Sequence, residues 1–214
     1  MVFGSAEIMF EYGYIFGEED LYYAELDPMD FAYGKPVLYL YPEEECEVDV
    51  SLLRDDRITV SYPKYPDSGW SVAAQPDGTL TDGERTYYCL YWEEDCVYDV
   101  TFDEGFCVAS QDSAAFLEDA LAKLGLSERE ANECIIYWLP ILEASPYNVI
   151  YFECTEEREA KSPLCITPTP DTLIRVALHI RPTDSFVSLP AQTLTAPERA
   201  GFVAVEWGGV LYTK

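Results

Sequence analysis

Basic residues are scarce in this chain: 13 Lys and Arg stand against 40 Asp and Glu, a formal net charge of −27. Nucleic-acid binding depends on Lys and Arg neutralising phosphates, so the imbalance excludes polyanions as partners, and anionic membrane surfaces with them. Histidine is scarcer still, with His179 alone, and no C-x-x-C pair occurs among the 7 cysteines. Structural zinc needs soft ligands in close pairs, so no zinc site is expected. Neither a dinucleotide fingerprint nor a Walker loop is present, so no nucleotide cofactor is expected either. No G-x-S-x-G elbow marks a serine nucleophile. No apolar run approaches the ~18 residues of a membrane span. Residues 1–16 hold Glu7 and Glu11 and no basic residue, so no secretory signal is read there.

The cysteines (Cys46, Cys89, Cys96, Cys107, Cys134, Cys154 and Cys165) are odd in number and scattered. That distribution suits buried small hydrophobes in a reducing compartment better than a disulfide framework, so a cytoplasmic location is expected. What the chain does have is aromatic mass: 17 Tyr, 10 Phe and 4 Trp. Acidic chains stay disordered when hydrophobicity is low and aromatics few, and this composition argues for a packed interior instead. A length of 214 residues suffices for one domain with a sizeable core.

Residues 1–34 differ in texture, with no Lys, Arg or His and many Tyr and Phe, and read as an acidic N-terminal extension packing its aromatics on a single domain at 35–214. Strand patterns follow. Val37 to Tyr41 is apolar on both faces, as in a central strand. Alternation predicts Val48, Val50 and Leu52 inward, then Ile58, Val60 and Tyr62, then Trp70, Val72 and Ala74. Turns at Pro76-Asp77-Gly78 and Thr81-Asp82-Gly83 precede strands over Tyr87–Trp92, Val97–Phe102 and Phe106–Ala109.

The period then becomes helical. Phe116, Leu117, Ala120, Leu121 and Leu124 share one face, and Gly125 supplies a left-handed stop. Ser127 and Glu130 form a capping box ahead of the stripe Ala131, Cys134, Ile135, Trp138, Leu139 and Leu142, which Pro140 is expected to kink or end near Leu139. So short a link makes the two helices an antiparallel hairpin. Strands return at Asn148–Cys154, Leu173–Arg181 and Phe202–Trp207. The expected fold class is α+β: a mostly antiparallel sheet, sandwich-like or curved, with one helical hairpin packed on it.

Several segments together resemble an uncharacterised protein family of bacteria and some eukaryotes. They are Lys35-Pro36-Val37-Leu38-Tyr39-Leu40-Tyr41-Pro42, Trp70 with Gln75 to Asp82, Leu90-Tyr91-Trp92-Glu93, Tyr137-Trp138-Leu139-Pro140, Ile166 to Asp171 with Arg175-Val176, and Val205-Glu206-Trp207-Gly208-Gly209. The resemblance implies one unit over residues 35–209 and brings no activity with it. Residues 1–34 and the cysteine richness depart from its pattern.

Candidate site residues are acids set beside tryptophans, where a ring can stack on a sugar and a carboxylate can hold its hydroxyls. Trp92 with Glu93 and Glu94, and Glu206 with Trp207, fit that description, and Asp77 and Asp82 sit on adjacent turns. Turn chemistry alone accounts for the two aspartates. Arg175 reads as an ion-pair partner for Glu93, Asp171 or Glu206, or as an anchor for a carboxylate ligand. His179 lies on one strand face with Arg175 and Arg181, and reads as structural more readily than as half of a Cys–His nucleophile pair.

The leading reading is a non-enzymatic binding module for a protein or a small polar ligand, with Trp92, Glu93, Asp82, Arg175, Glu206 and Trp207 as ligand-binding candidates. A carboxylate-dependent hydrolase of glycans is the alternative, and it requires two of those carboxyls facing each other across a cleft at roughly 5–10 Å. A nucleic-acid mimic is the third reading and requires carboxylates in phosphate-like rows on one face.

Overall fold

The computed structural model describes residues 31–53, 55–94 and 100–212, with side chains from Lys35 onward. Twelve strands form two sheets. The first comprises β1 (Phe31–Tyr41), β3 (Ile58–Tyr62), β7 (Leu90–Glu94), β8 (Phe106–Ala109), β9 (Tyr147–Cys154), β11 (Thr172–Thr183) and β12 (Val203–Tyr212), in the order β3-β7-β1-β12-β11-β9-β8. Of its pairings only β11 with β12 is parallel. The second sheet holds β2 (Cys46–Leu52), β4 (Trp70–Ala74), β5 (Leu80–Asp82), β6 (Arg85–Tyr87) and β10 (Leu164–Thr167), in the order β10-β2-β4-β5-β6.

Side chains of successive strand residues point to opposite faces, which builds two cores on the seven-stranded sheet. Leu38, Leu40, Leu90, Trp92 and Ala204 face the five-stranded sheet and meet Val48, Val50, Trp70 and Val72. Val37, Tyr39, Val205 and Trp207 face the other way, onto the helical hairpin of α1 (Ser113–Lys123) and α2 (Glu128–Glu143). The hairpin carries the signals read in the sequence. Gly125 has φ +85, and the Leu126 amide reaches back to the Leu121 carbonyl at 3.0 Å. Ser127 and Glu130 complete both arms of the capping box. The α+β expectation, sheets mostly antiparallel with one hairpin on them, describes the molecule.

Four expectations change. Helix α2 does not end near Leu139 but runs on through Pro140 to Glu143, where fully buried Leu142 holds the last turn in the core and offsets the hydrogen bond that proline cannot donate. The Tyr87–Trp92 strand is two strands, β6 and β7, in different sheets. Val60 and Tyr62 are each 52% exposed rather than inward, since β3 is the edge strand of its sheet and this face of it is incompletely covered. Strand β1 begins at Phe31, inside the stretch read as an extension. Residues 1–30, and Val97–Asp99 of the strand expected at Val97–Phe102, lie outside the described residues; Val100–Phe102 is not strand.

One short helix escapes periodicity. Helix α3 (Thr155–Lys161) follows β9 directly and covers β11 and β9 on the face opposite the hairpin. Among the described residues, no helix is long and apolar enough to cross a membrane.

Candidate ligand cleft

Adjacent strand residues face opposite ways, and this decides the fate of the acid–tryptophan pairs. Trp92 is 1% exposed in the inter-sheet core, 6.0 Å from Trp70 between ring centres. Its neighbour Glu93 lies on the other face with Tyr91. Trp207 is fully buried under the hairpin, its Nε1 donating to the Tyr39 hydroxyl at 3.1 Å. Its neighbour Glu206 points away, toward α3. Neither pair makes one platform, and no tryptophan face is open to a sugar. Asp82 is exposed at the end of β5, in the other sheet, opposite Arg85.

Glu206 and Arg175 do come together. They are register partners on the parallel strands β12 and β11, and the Arg175 Nε donates to the Glu206 carboxylate. Arg158 of α3 donates to the other Glu206 oxygen at 3.1 Å. Arg175 also donates to Glu159 and to the Ser162 carbonyl. Glu153 of β9 completes the group, 3.5 Å from Arg158, paired to Lys161, and 3.4 Å from the His179 Nε2. A proton on Nε2 facing that carboxylate leaves Nδ1 to accept from the Tyr212 hydroxyl, 2.8 Å away.

Burial favours the neutral form of Glu206, but the charges of Arg175 and Arg158 outweigh it and hold the carboxyl below its ordinary value. Burial opposes charge on Glu153 too, and hydrogen bonds from His179 and Lys161 with the Arg158 charge bring it to about 2. Burial lowers His179, which keeps it neutral near pH 7. Three cations and three carboxylates balance here, and the arrangement locks α3 to the sheet. It is structural.

A concave surface lies elsewhere, on the hairpin side where β3, β7 and β1 meet. A cleft of about 510 Å³ is lined by Lys35, Val37, Tyr62, Thr86, Tyr87, Tyr88, Cys89, Tyr91, Glu93 and Tyr137. Strand β3 contributes Tyr62, the loop after β6 contributes Tyr88 and Cys89, and α2 contributes Tyr137. Of the exposed β3 residues, Tyr62 is therefore on the rim of this cleft.

Lys35 enters through a local distortion. Pairing of β1 with β12 slips by one residue between Gly34 and Val37, a bulge of the kind that re-aims a side chain beside a site. Lys35 takes φ +54 there, a left-handed conformation unusual for a residue with a side chain. Its amide donates to the Glu93 Oε1 at 3.0 Å. Its ammonium lies 5.4 Å from the ring centre of Tyr137 and 5.6 Å from that of Trp207.

Glu93 is the acid of the cleft. The Tyr91 hydroxyl donates to the same Oε1 at 2.8 Å, while Oε2 is buried with no hydrogen-bond partner. Burial raises the Glu93 pKa above its ordinary value, against the pull of Tyr91 and the Lys35 amide. Burial likewise pushes Cys89 up to about 12, so its thiol stays protonated and is a poor nucleophile. Among the described residues, no three His, Cys, Asp or Glu side chains converge as metal ligands.

Of the six sequence candidates, then, only Glu93 lines the cleft. Lys35 and the tyrosines went unread, although a basic residue opening the Lys35-Pro36 segment of so acidic a chain was a usable signal. Glu153, inside the apolar run of β9, signalled the buried ionic group in the same way.

No family model matches the chain, and no solved structure matches it. A protein of Butyrivibrio fibrisolvens, described as an uncharacterized protein in the bglA 3′ region, is 41% identical over 63 residues. The match covers 28% of this chain and 66% of that protein, so the chain spans just under two thirds of the relative's length.

Proposed function

We propose that the protein is a non-enzymatic binding module for a small polar ligand, and that the tyrosine-walled cleft around Glu93 is its site. The observation carrying this reading is Glu93, which lines a concavity of ordinary ligand-site size and whose Oε2 is buried with no hydrogen-bond partner among the described residues. Five tyrosines (Tyr62, Tyr87, Tyr88, Tyr91 and Tyr137) line that concavity, offering flat apolar faces with hydroxyl rims that order at low entropic cost. Glycan hydrolysis is disfavoured because it needs a second carboxyl in the cleft, and Glu93 is the single acid of the lining. A reducing, cytoplasmic home is part of this reading and rests on the odd number and scatter of the seven cysteines in the sequence.

A screen of amino acids, amines, sugars and polyols by thermal unfolding tests the reading, since a ligand selective for the folded state raises Tm by mass action. Tyr62→Ala and Tyr88→Ala alter rim residues that are 52% and 47% exposed, so both fold. At least one class is expected to raise Tm, and each variant to weaken its binding about fivefold or more. A screen silent in every class, or binding indifferent to both variants, removes the proposal.

A further inference from the structure

Resting on the ligand-cleft reading, we infer that the ligand is a zwitterion, a free α-amino acid or a molecule of dipeptide size, whose ammonium meets Glu93 and whose carboxylate meets Lys35. Two opposite formal charges line one cleft, and among the described residues each lacks a counter-ion. Among the described residues the Glu93 carboxylate accepts from an amide and a phenol, both on Oε1, although a carboxylate offers about four acceptor sites. Lys35 has no carboxylate oxygen within 4.0 Å among the described residues. Its cation rests on aromatic faces instead.

Each other small-ligand class leaves one of these groups unanswered. A neutral sugar satisfies the Glu93 oxygen with hydroxyls and gives Lys35 no charge partner. A simple amine satisfies Glu93 and meets the Lys35 ammonium as a like charge. A simple anion meets Lys35 but must approach a protein of net charge −27. A zwitterion has no net charge to be repelled and complements both groups. The rest of the lining is tyrosine ring, which takes an aromatic or apolar side chain, and about 510 Å³ accommodates one. The strained backbone at Lys35 fits this assignment, because such conformations persist where function requires a side chain to be aimed.

The test is calorimetric titration of the full chain with L-phenylalanine, N-acetyl-L-phenylalanine, L-phenylalaninamide and methyl β-glucoside. L-Phenylalanine is expected to bind, and removal of either ligand charge to weaken binding at least about tenfold, the effect of one charge-assisted hydrogen bond. Glu93→Gln should weaken L-phenylalanine about tenfold yet leave the N-acetyl derivative unchanged, and Lys35→Met should do the same for L-phenylalanine against the amide. The ligand series on the unaltered protein keeps the test sound if a variant fails to fold. Equal or tighter binding of the amide, the N-acetyl compound or the glucoside overturns the zwitterion and leaves the cleft as a small-ligand site. Silence from all four also overturns the zwitterion, and the cleft reading falls with it only when the wider screen is silent too.

Discussion

Removing the Glu206 carboxylate should be among the most damaging single changes in this protein. Glu206 is 2% exposed and answers two guanidiniums, with the Arg175 side chain 0% and the Arg158 side chain 4% exposed. In Glu206→Ala, three cations (Arg158, Lys161, Arg175) face two carboxylates (Glu153, Glu159), and the two guanidiniums stay buried while Lys161 and Glu159 are partly open to water. Two charge-assisted hydrogen bonds are lost at about 1.5–3 kcal/mol each. Breaking a buried pair from one side costs about 3–5 kcal/mol by a separate line of reasoning. The two figures agree on about 4 kcal/mol. With a urea m-value of about 2 kcal/mol/M, the unfolding midpoint should fall by about 2 M with m unchanged.

The control is Glu206→Leu with Arg175→Met, which restores the balance at two charges of each sign. Paired removal from a buried site is often neutral, so this double variant should recover at least half of the loss. Urea unfolding followed by circular dichroism and tryptophan fluorescence measures both. A loss under about 1 kcal/mol for Glu206→Ala, or a double variant no better than the single one, refutes the assignment of this group as the lock on α3.

Acid should unfold the protein in two stages. His179 is held below its ordinary value of 6.5, so the unfolded chain takes up its proton first and stability declines as pH falls below about 6.5. Glu153 lies at about 2 against an ordinary 4.5, so its contribution is full above 4.5 and is lost as pH falls from 4.5 through about 2; a urea midpoint that is flat from pH 7 to 3 contradicts both assignments. Gly209→Ala should destabilise by about 1–3 kcal/mol through overpacking, because a Cβ there would lie 2.5 Å from the Trp138 ring and 2.6 Å from the Leu178 carbonyl; an unchanged urea midpoint would show that the ring and strand shift freely. Glu93→Gln should leave stability unchanged or raise it by up to about 1 kcal/mol, since the folded state disfavours the charged carboxylate it removes; a clear loss in thermal unfolding would make Glu93 a structural residue.

Local rules were legible in the chain. The Gly125 stop needs only one residue able to adopt a positive φ, and the Ser127–Glu130 box needs only three-residue spacing, so both stand in the sequence as they stand in the molecule. Val48, Val50 and Leu52, or Trp70, Val72 and Ala74, alternate because a period of two matches one buried face. The same period misled at Val60 and Tyr62. Alternation reports that one face is apolar, and whether a core or a cleft rim receives that face depends on which elements lie over it. Helix α3 was illegible because seven residues give too little periodicity, and tertiary charge pairing holds it in place.

By itself, then, the sequence determined the class of the molecule: acidic, aromatic-cored, α+β, with helix ends and strand faces set by spacing and backbone conformation over a few residues. Tertiary structure decided which charges meet. Arg175 and Glu206 are 31 residues apart and become partners through parallel register. Trp92 and Glu93 are neighbours in the chain and are sent to opposite sides of a sheet. The cleft joins Lys35, Tyr62, the stretch from Thr86 to Glu93, and Tyr137. That assembly depends on β3, β7 and β1 lying side by side with α2 over one end, and strand order is set by global packing rather than by any local pattern.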